Sequence, residues 1–375
     1  MRYLGGQTNC HRPGGDAKAA PTAKGPASTQ AVNLALTEQQ TGVAFRGSLA
    51  DPQDVSEPGI MATLRIVFMG TAELSCASLR ALLAVPDFQI VGVVTQPDKP
   101  RGRSLKLQPS PAKELAVSHG LPVLQPERAR NEIFIQQLRA LQPDLIAVAA
   151  YGQILPGSIL GLPRFGCLNV HTSLLPKYRG AAPIQWALLH DETESGVTIM
   201  KMDAGLDTGD ILTQEATPIT PEDTSESLHD RLADMGARLL VQTIPEYVTG
   251  RIRPQPQPSE GVTYAPKIKK QDGRLDWMQP ARTLWNRIRA LTPWPGAFSY
   301  LQNGPRPTLL KIWRAEVTAR SGTPGEILQA ANVGIMVGCG RDALQILELQ
   351  REGGRRLKAS EFLAGHKLKA GQRFE

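Results

Sequence analysis

Leu-Arg-Ile-Val-Phe-Met-Gly-Thr-Ala-Glu, residues 64 to 73, is the stretch that decides the fold. Leu64 to Phe68 is a short apolar run of strand character, and the turn Met69 to Glu73 leads into an apolar helical stretch around Leu74 to Leu83. Gln89 to Thr95 is then a β-branched run. The pattern repeats downstream. Apolar strands are expected at Asp144 to Ala149 and Cys167 to His171, with helices over Pro111 to Ser118 and Asn131 to Leu141. Such alternation predicts an α/β domain, an open and mostly parallel Rossmann-like sheet with helices on both faces. Sheets of this kind bind ligands beyond the carboxyl ends of their strands. The turn at 69 to 73 lacks the GxGxxG that a dinucleotide requires, so no nicotinamide cofactor is expected.

A strand pair at Val197 to Met202 and Asp210 to Thr213, then a helix from Ser225 to about Val248, complete a first domain spanning residues 62 to 250. Arg-Ile-Arg-Pro-Gln-Pro-Gln-Pro-Ser-Glu-Gly at 251 to 261 opens a linker, expected over 251 to 265, that proline stiffens. Residues 266 to 375 carry short β-branched runs (Leu309 to Trp313, Gly334 to Val337, Leu344 to Leu349) divided by Gly and Pro, the pattern of a small β-rich domain. Residues 1 to 60 show neither helical nor strand periodicity and are expected to be disordered. Met61 stands just before the first strand, so this extension reads as an upstream translation artefact. The competing idea, an organelle transit peptide, is supported by the few acids early on and weakened by Glu38, Asp51, Asp54 and Glu57.

The chain of 375 residues has no apolar run of about 18, which sets membrane spanning aside and predicts a soluble, cytoplasmic protein. Cys10, Cys76, Cys167 and Cys339 lie far apart without metal-ligand spacing, so neither a zinc site nor a disulfide framework is expected. Charge is unevenly distributed. Residues 266 to 375 hold 19 Lys and Arg against 9 Asp and Glu, about +10, while residues 61 to 265 hold 18 against 21. A basic end suits a polyanion, because phosphate neutralisation is the sequence-independent part of nucleic-acid affinity; a merely soluble basic domain would look the same.

The chemistry concentrates in Gly-Cys-Leu-Asn-Val-His-Thr-Ser-Leu-Leu-Pro-Lys-Tyr-Arg-Gly-Ala-Ala-Pro-Ile-Gln, residues 166 to 185. Two residues apart on a strand, Asn169 and His171 point to one face at its carboxyl end. An amide donor beside an imidazole suits addition to a carbonyl, since both can donate to the oxygen that becomes negative. Asp207, in the Gly-flanked loop Met-Asp-Ala-Gly-Leu-Asp-Thr-Gly-Asp at 202 to 210, is a carboxylate able to return beside His171. Alone, these three residues specify only a polar pocket.

Asn-Val-His-Thr-Ser-Leu-Leu-Pro followed by Gly-Leu-Asp-Thr-Gly resembles the hallmark of the formyltetrahydrofolate-dependent transferases. The resemblance implies that Asn169, His171 and Asp207 are catalytic and that Ser173, Leu174, Leu175 and Pro176 form a folate-binding loop. It also implies 10-formyltetrahydrofolate as formyl donor and no metal. Residues 95 to 111, residues 179 to 185 and Thr292-Pro293-Trp294-Pro295 resemble the branch of that family acting on methionyl initiator tRNA, over essentially residues 62 to 375. Formylation of the methionyl α-amino group by a monomeric enzyme with an OB-like second domain is the implied function. Arg103 is singled out by the resemblance; Lys99, Arg101 and Lys106 share its basic loop, which could otherwise be a solvated surface. Lys267, Lys269, Lys270, Arg274, Arg287 and Arg289 are expected near the entrance of the basic domain, against the tRNA backbone. Formyl transfer to glycinamide ribonucleotide or an amino sugar, hydrolysis of the folate, and a catalytically idle tRNA-binding protein are the competing functions.

Overall fold

The computed structural model describes residues 63 to 101, 106 to 304 and 306 to 375. The expected disordered extension at 1 to 60 therefore lies outside the described residues. Strand β1 (Leu64–Gly70) is buried along almost its whole length. Leu64, Ile66 and Phe68 enter one apolar core, while Val67 and Met69 enter a second on the opposite face. That two-sided burial is why Ile66 to Met69 is continuously apolar rather than alternating. Helix α1 (Glu73–Leu83) follows, then β2 (Phe88–Val94), a hairpin of β3 (Lys99–Arg101) and β4 (Lys106–Gln108), α2 (Pro111–Ser118) and β5 (Val123–Leu124). Next come α3 (Glu132–Ala140), β6 (Leu145–Ala149), α4 (Gly157–Leu160), β7 (Cys167–His171), β8 (Arg179–Gly180), α5 (Pro183–Leu189), β9 (Glu194–Lys201), β10 (Ile211–Pro218) and α6 (Ser225–Val248).

The first sheet has the order β10-β9-β7-β6-β1-β2-β5. Strands β5, β2, β1, β6 and β7 are mutually parallel, and β9 and β10 add antiparallel neighbours at one edge. Strand order reverses between β1 and β6, so a crevice opens above their carboxyl ends. Gly236 brings α6 onto β7, because a Cβ there would overlap Val170 Cγ1. The N-terminus of α6 is held by reciprocal bonds between Thr224 and Ser227. Thr224→Ala is expected to destabilise the protein by about 1 kcal/mol, measured by chemical denaturation, as for other lost N-caps.

The second sheet begins after β11 (Tyr264–Ala265) and α7 (Ala281–Ala290). It comprises β12 (Ala297–Gln302), β13 (Thr308–Thr318), β14 (Ile327–Ala331), β15 (Gly334–Gly338), β16 (Ala343–Arg351), β17 (Arg356–Lys358) and, after α8 (Ala359–Gly365), β18 (Arg373–Phe374). All its named pairings are antiparallel, in the order β14-β15-β16-β13-β12-β18 with β17 beside β16. Phe374 N–H donates to Gly325 O at 2.8 Å and Ile327 N–H to Gln372 O at 2.8 Å, joining the first strand to the last in a near-barrel. Its core is separate and includes Leu284 and Ile288 of α7 and Phe362 of α8, two helices that the sequence reading did not anticipate. Among the described residues no helix is long and apolar enough to cross a membrane.

The two sheets are fastened together through α5 and α7. Arg282 of α7 grips Asp191 with Nε at 3.0 Å and Nη2 at 2.8 Å, and Ser225 Oγ donates to Thr292 O at 2.6 Å. The hydrogen-bonded Arg282 guanidinium holds the Asp191 carboxyl below the usual carboxylate range. A depressed folded-state value stabilises above the unfolded value of about 3.9, and that contribution is lost as pH falls through the lower folded value. Wild type and Asp191→Asn should therefore differ in denaturation midpoint at neutral pH and converge in acid.

Candidate active site

Asn169 and His171 extend from one face of β7, where Val170 between them faces the opposite core. Both are buried, yet both line a cleft of about 570 Å³ above the carboxyl ends of β6 and β7. Among the described residues the Asn169 side chain has no hydrogen-bond partner, so its amide is available to a ligand. His171 is tied on one side: Nε2 lies 3.0 Å from Tyr178 O. A carbonyl only accepts, so Nε2 carries a proton and Nδ1 is the atom left to act. Asp207 Oδ2 is 3.7 Å from that Nδ1 and also accepts from Gly180 N–H at 2.8 Å. The chain thus returns, 36 positions on, to set a carboxylate beside the imidazole.

Asp207 sits at φ +51° in the left-handed region, on the loop between β9 and β10. Further wall residues come from the loop after β6 (Ala150 to Ile154) and from Met202, Leu206, Ile184 and His229. None of these is a site residue on the sequence alone, although Ile184, Met202 and Leu206 fall in its quoted segments. The loop after β6 was nevertheless findable, since it leaves the carboxyl end of a central parallel strand. Ile154 and Leu206 are largely exposed and make the mouth apolar. The cleft of about 570 Å³ falls within the range of about 300–1,000 Å³ usual for small-molecule sites, with an apolar wall beside convergent polar groups.

Ser173, Leu174, Leu175 and Pro176 do not line this cleft. Ser173 Oγ donates to Lys177 O at 2.6 Å, and Leu175 N–H donates to Thr198 Oγ1 at 3.1 Å while its carbonyl accepts from Gln214 Nε2 at 2.9 Å. Leu175–Pro176 is a cis peptide. This segment is tied by these bonds to its own loop and to β9 and β10.

Arg103 lies outside the described residues. Lys99, Arg101 and Lys106 belong to the β3–β4 hairpin, in which Arg101 pairs with Lys106. Lys99 is exposed and reaches Gln96, whose Nε2 donates to Tyr151 O at 2.9 Å, so the hairpin base is joined to the cleft loop. Lys267, Lys269, Lys270 and Arg274 are exposed beside α5 and the second sheet. Arg287 is half-buried and donates to Asp272 O at 2.7 Å. Arg289 corrects the expectation of a tRNA contact: it is 6% exposed, donates to Thr220 O at 2.9 Å and stacks on Trp285, bracing the sheets internally. Burial pushes the Cys76 thiol up to about 11 and the Cys167 and Cys339 thiols up to about 12, which leaves them protonated and unsuited as nucleophiles.

Residues 64–244 match the family model described as Formyl transferase, and residues 267–367 match the one described as Formyl transferase, C-terminal domain. In fold, an N-formyltransferase from Helicobacter canadensis in complex with folinic acid and dTDP-3-aminofucose is similar with a TM-score of 0.55 at 19% identity, over 76% of this chain and 99% of that one. HypX from Aquifex aeolicus in complex with tetrahydrofolic acid gives 0.53 at 17% identity, over 82% and 50%. The class is therefore a two-module formyl transferase.

Methionyl-tRNA formyltransferase from Citrifermentans bemidjiense is 49% identical over 311 residues, 83% of this chain and 96% of that protein. The one from Myxococcus xanthus is 50% identical over 83% and 98%. The chain belongs to the methionyl-tRNA formyltransferase family.

Proposed function

We propose that this chain transfers the formyl group of 10-formyltetrahydrofolate to the α-amino group of methionine esterified to initiator tRNA. The observation that carries this reading is kinship at about half identity with methionyl-tRNA formyltransferases along nearly their whole length. The chemistry agrees with it. Asn169 and His171 donate to the formyl oxygen as the attacking amine drives negative charge onto it. Because Nε2–H is committed to Tyr178 O, His171 donates through Nδ1, as an imidazolium. Asp207 pairs with that cation and helps the amine pass its proton onward. The amine loses one proton and the leaving folate nitrogen gains one, so the site relays protons without a net supply.

In this reading the apolar wall at Ile154, Met202 and Leu206 receives the folate ring, and Ser173 to Pro176 act by holding in place the chain that leaves His171. Residues 62 to 250 are the catalytic module, 251 to 265 the connection and 266 to 375 the tRNA-binding module. Lys99, Arg101, Arg103 and Lys106 meet the acceptor end, with Lys267 and Lys269 on the backbone beyond. The enzyme acts in the cytoplasm as a monomer, which sedimentation of the purified protein checks. The deciding experiment supplies formyltetrahydrofolate with charged initiator tRNA, charged elongator tRNA, or no tRNA. Formyl-methionine should form on the initiator. Formylation of glycinamide ribonucleotide instead, or folate turnover without an acceptor, would sink the assignment.

A further inference from the structure

The segment between the modules has the composition of a spacer, yet both of its ends are hydrogen-bonded to the chain segments that carry the site. Near its start, Gln255 exchanges backbone hydrogen bonds with Ile211 at 2.8 and 2.9 Å, laying the chain along β10. Two residues on, Gln257 Nε2 donates to Asp207 O at 2.8 Å and to Gly209 O at 2.7 Å. Its Oε1 accepts from Arg179 Nε at 3.0 Å and Nη2 at 2.6 Å. A guanidinium only donates, so the amide can face in one direction: oxygen to Arg179, nitrogen to the two carbonyls.

Asp207 needs such support. Its left-handed backbone is strained for a residue with a side chain and persists only where surroundings over-determine it. Gly209 leaves no slack, because a Cβ there would overlap the Lys201 carbonyl. At the far end of the segment, Thr263 Oγ1 accepts from Tyr178 N–H at 2.8 Å and Thr263 O accepts from Arg179 N–H at 2.9 Å. β11 then runs parallel to β8. Tyr178, itself at φ +61°, presents the carbonyl that fixes His171 Nε2.

We infer that Gln257 and Thr263 are positioning residues for the reaction, Gln257 setting the Asp207 carboxylate and Thr263 setting the His171 ring through Tyr178. The inference rests on the formyl-transfer reading of Asp207 and His171. It makes the connecting segment part of the catalytic apparatus, so the tRNA-binding module is joined to the cleft by the strand that aligns it. Displacements near 1 Å in a reacting constellation reduce turnover by up to about 10²-fold, which sets the scale of the effect.

A double-mutant cycle in the full chain tests this, with initiator tRNA and formyltetrahydrofolate as substrates. Gln257→Ala is expected to lower kcat by roughly tenfold, within that bound, with both KM values within about twofold of wild type. In an Asp207→Asn background the same substitution should have almost no further effect, since a residue acting through Asp207 has nothing left to position. Thr263→Val gives the parallel result against His171→Ala and serves if Gln257→Ala folds poorly. Wild-type kcat in both single variants, a rise in KM at unchanged kcat, or losses that multiply across the cycle would overturn the proposal. Wild-type turnover in Asp207→Asn would instead overturn the underlying role of Asp207, and the positioning role with it.

Discussion

Asn169→Ala and His171→Ala should each lower kcat by about 10²–10³, the loss seen when one donor to a developing oxyanion is removed. Steady-state formylation of charged initiator tRNA measures it. The two variants should part company in stability, because their native partners differ. Among the described residues the Asn169 side chain makes no hydrogen bond within the chain, and its backbone stays in the β7 ladder, so truncation orphans no group and the denaturation midpoint should barely move. His171 satisfies the Tyr178 carbonyl, and its loss leaves a buried acceptor unpaired at a cost of about 1–3 kcal/mol. A rate loss in both variants with destabilisation confined to His171→Ala separates chemistry from folding. Wild-type turnover in His171→Ala would refute the mechanism.

Affinity for tRNA should collapse with salt while affinity for folate holds. If about six phosphates are neutralised, binding weakens roughly 10³-fold between 50 and 200 mM salt. The residues available for this are exposed: Lys267, Lys269, Lys270 and Arg274 all face solvent with the basic module behind them. Lys267→Ala or Lys269→Ala should each reduce the slope of log affinity against log salt by about one if the residue meets a phosphate. Arg289→Ala should leave that slope unchanged, because its guanidinium is already occupied within the protein. A folate affinity that fell as steeply, or a tRNA affinity indifferent to salt, would contradict this division of labour.

Elements whose signal is local are legible along the chain before any fold is known. The mostly apolar runs at 64 to 68 and 144 to 149 mark strands, found at Leu64–Gly70 and Leu145–Ala149, and the helix from Ser225 to Val248 stands where its pattern places it. The spacing of Asn169 and His171 puts both at one strand face because side chains alternate along a strand. What else joins them depends on long-range packing. Asp207 reaches His171 because an antiparallel pair of strands turns back, and Gln257 reaches Asp207 from 50 positions away. Periodicity carries no information about such returns. It likewise could not show that Ser173 spends its hydroxyl on its own loop, or that Arg289 is buried between the sheets while Lys269 is exposed. Residue type fixes what a side chain can donate or accept; which atom it meets depends on how the sheets close around it.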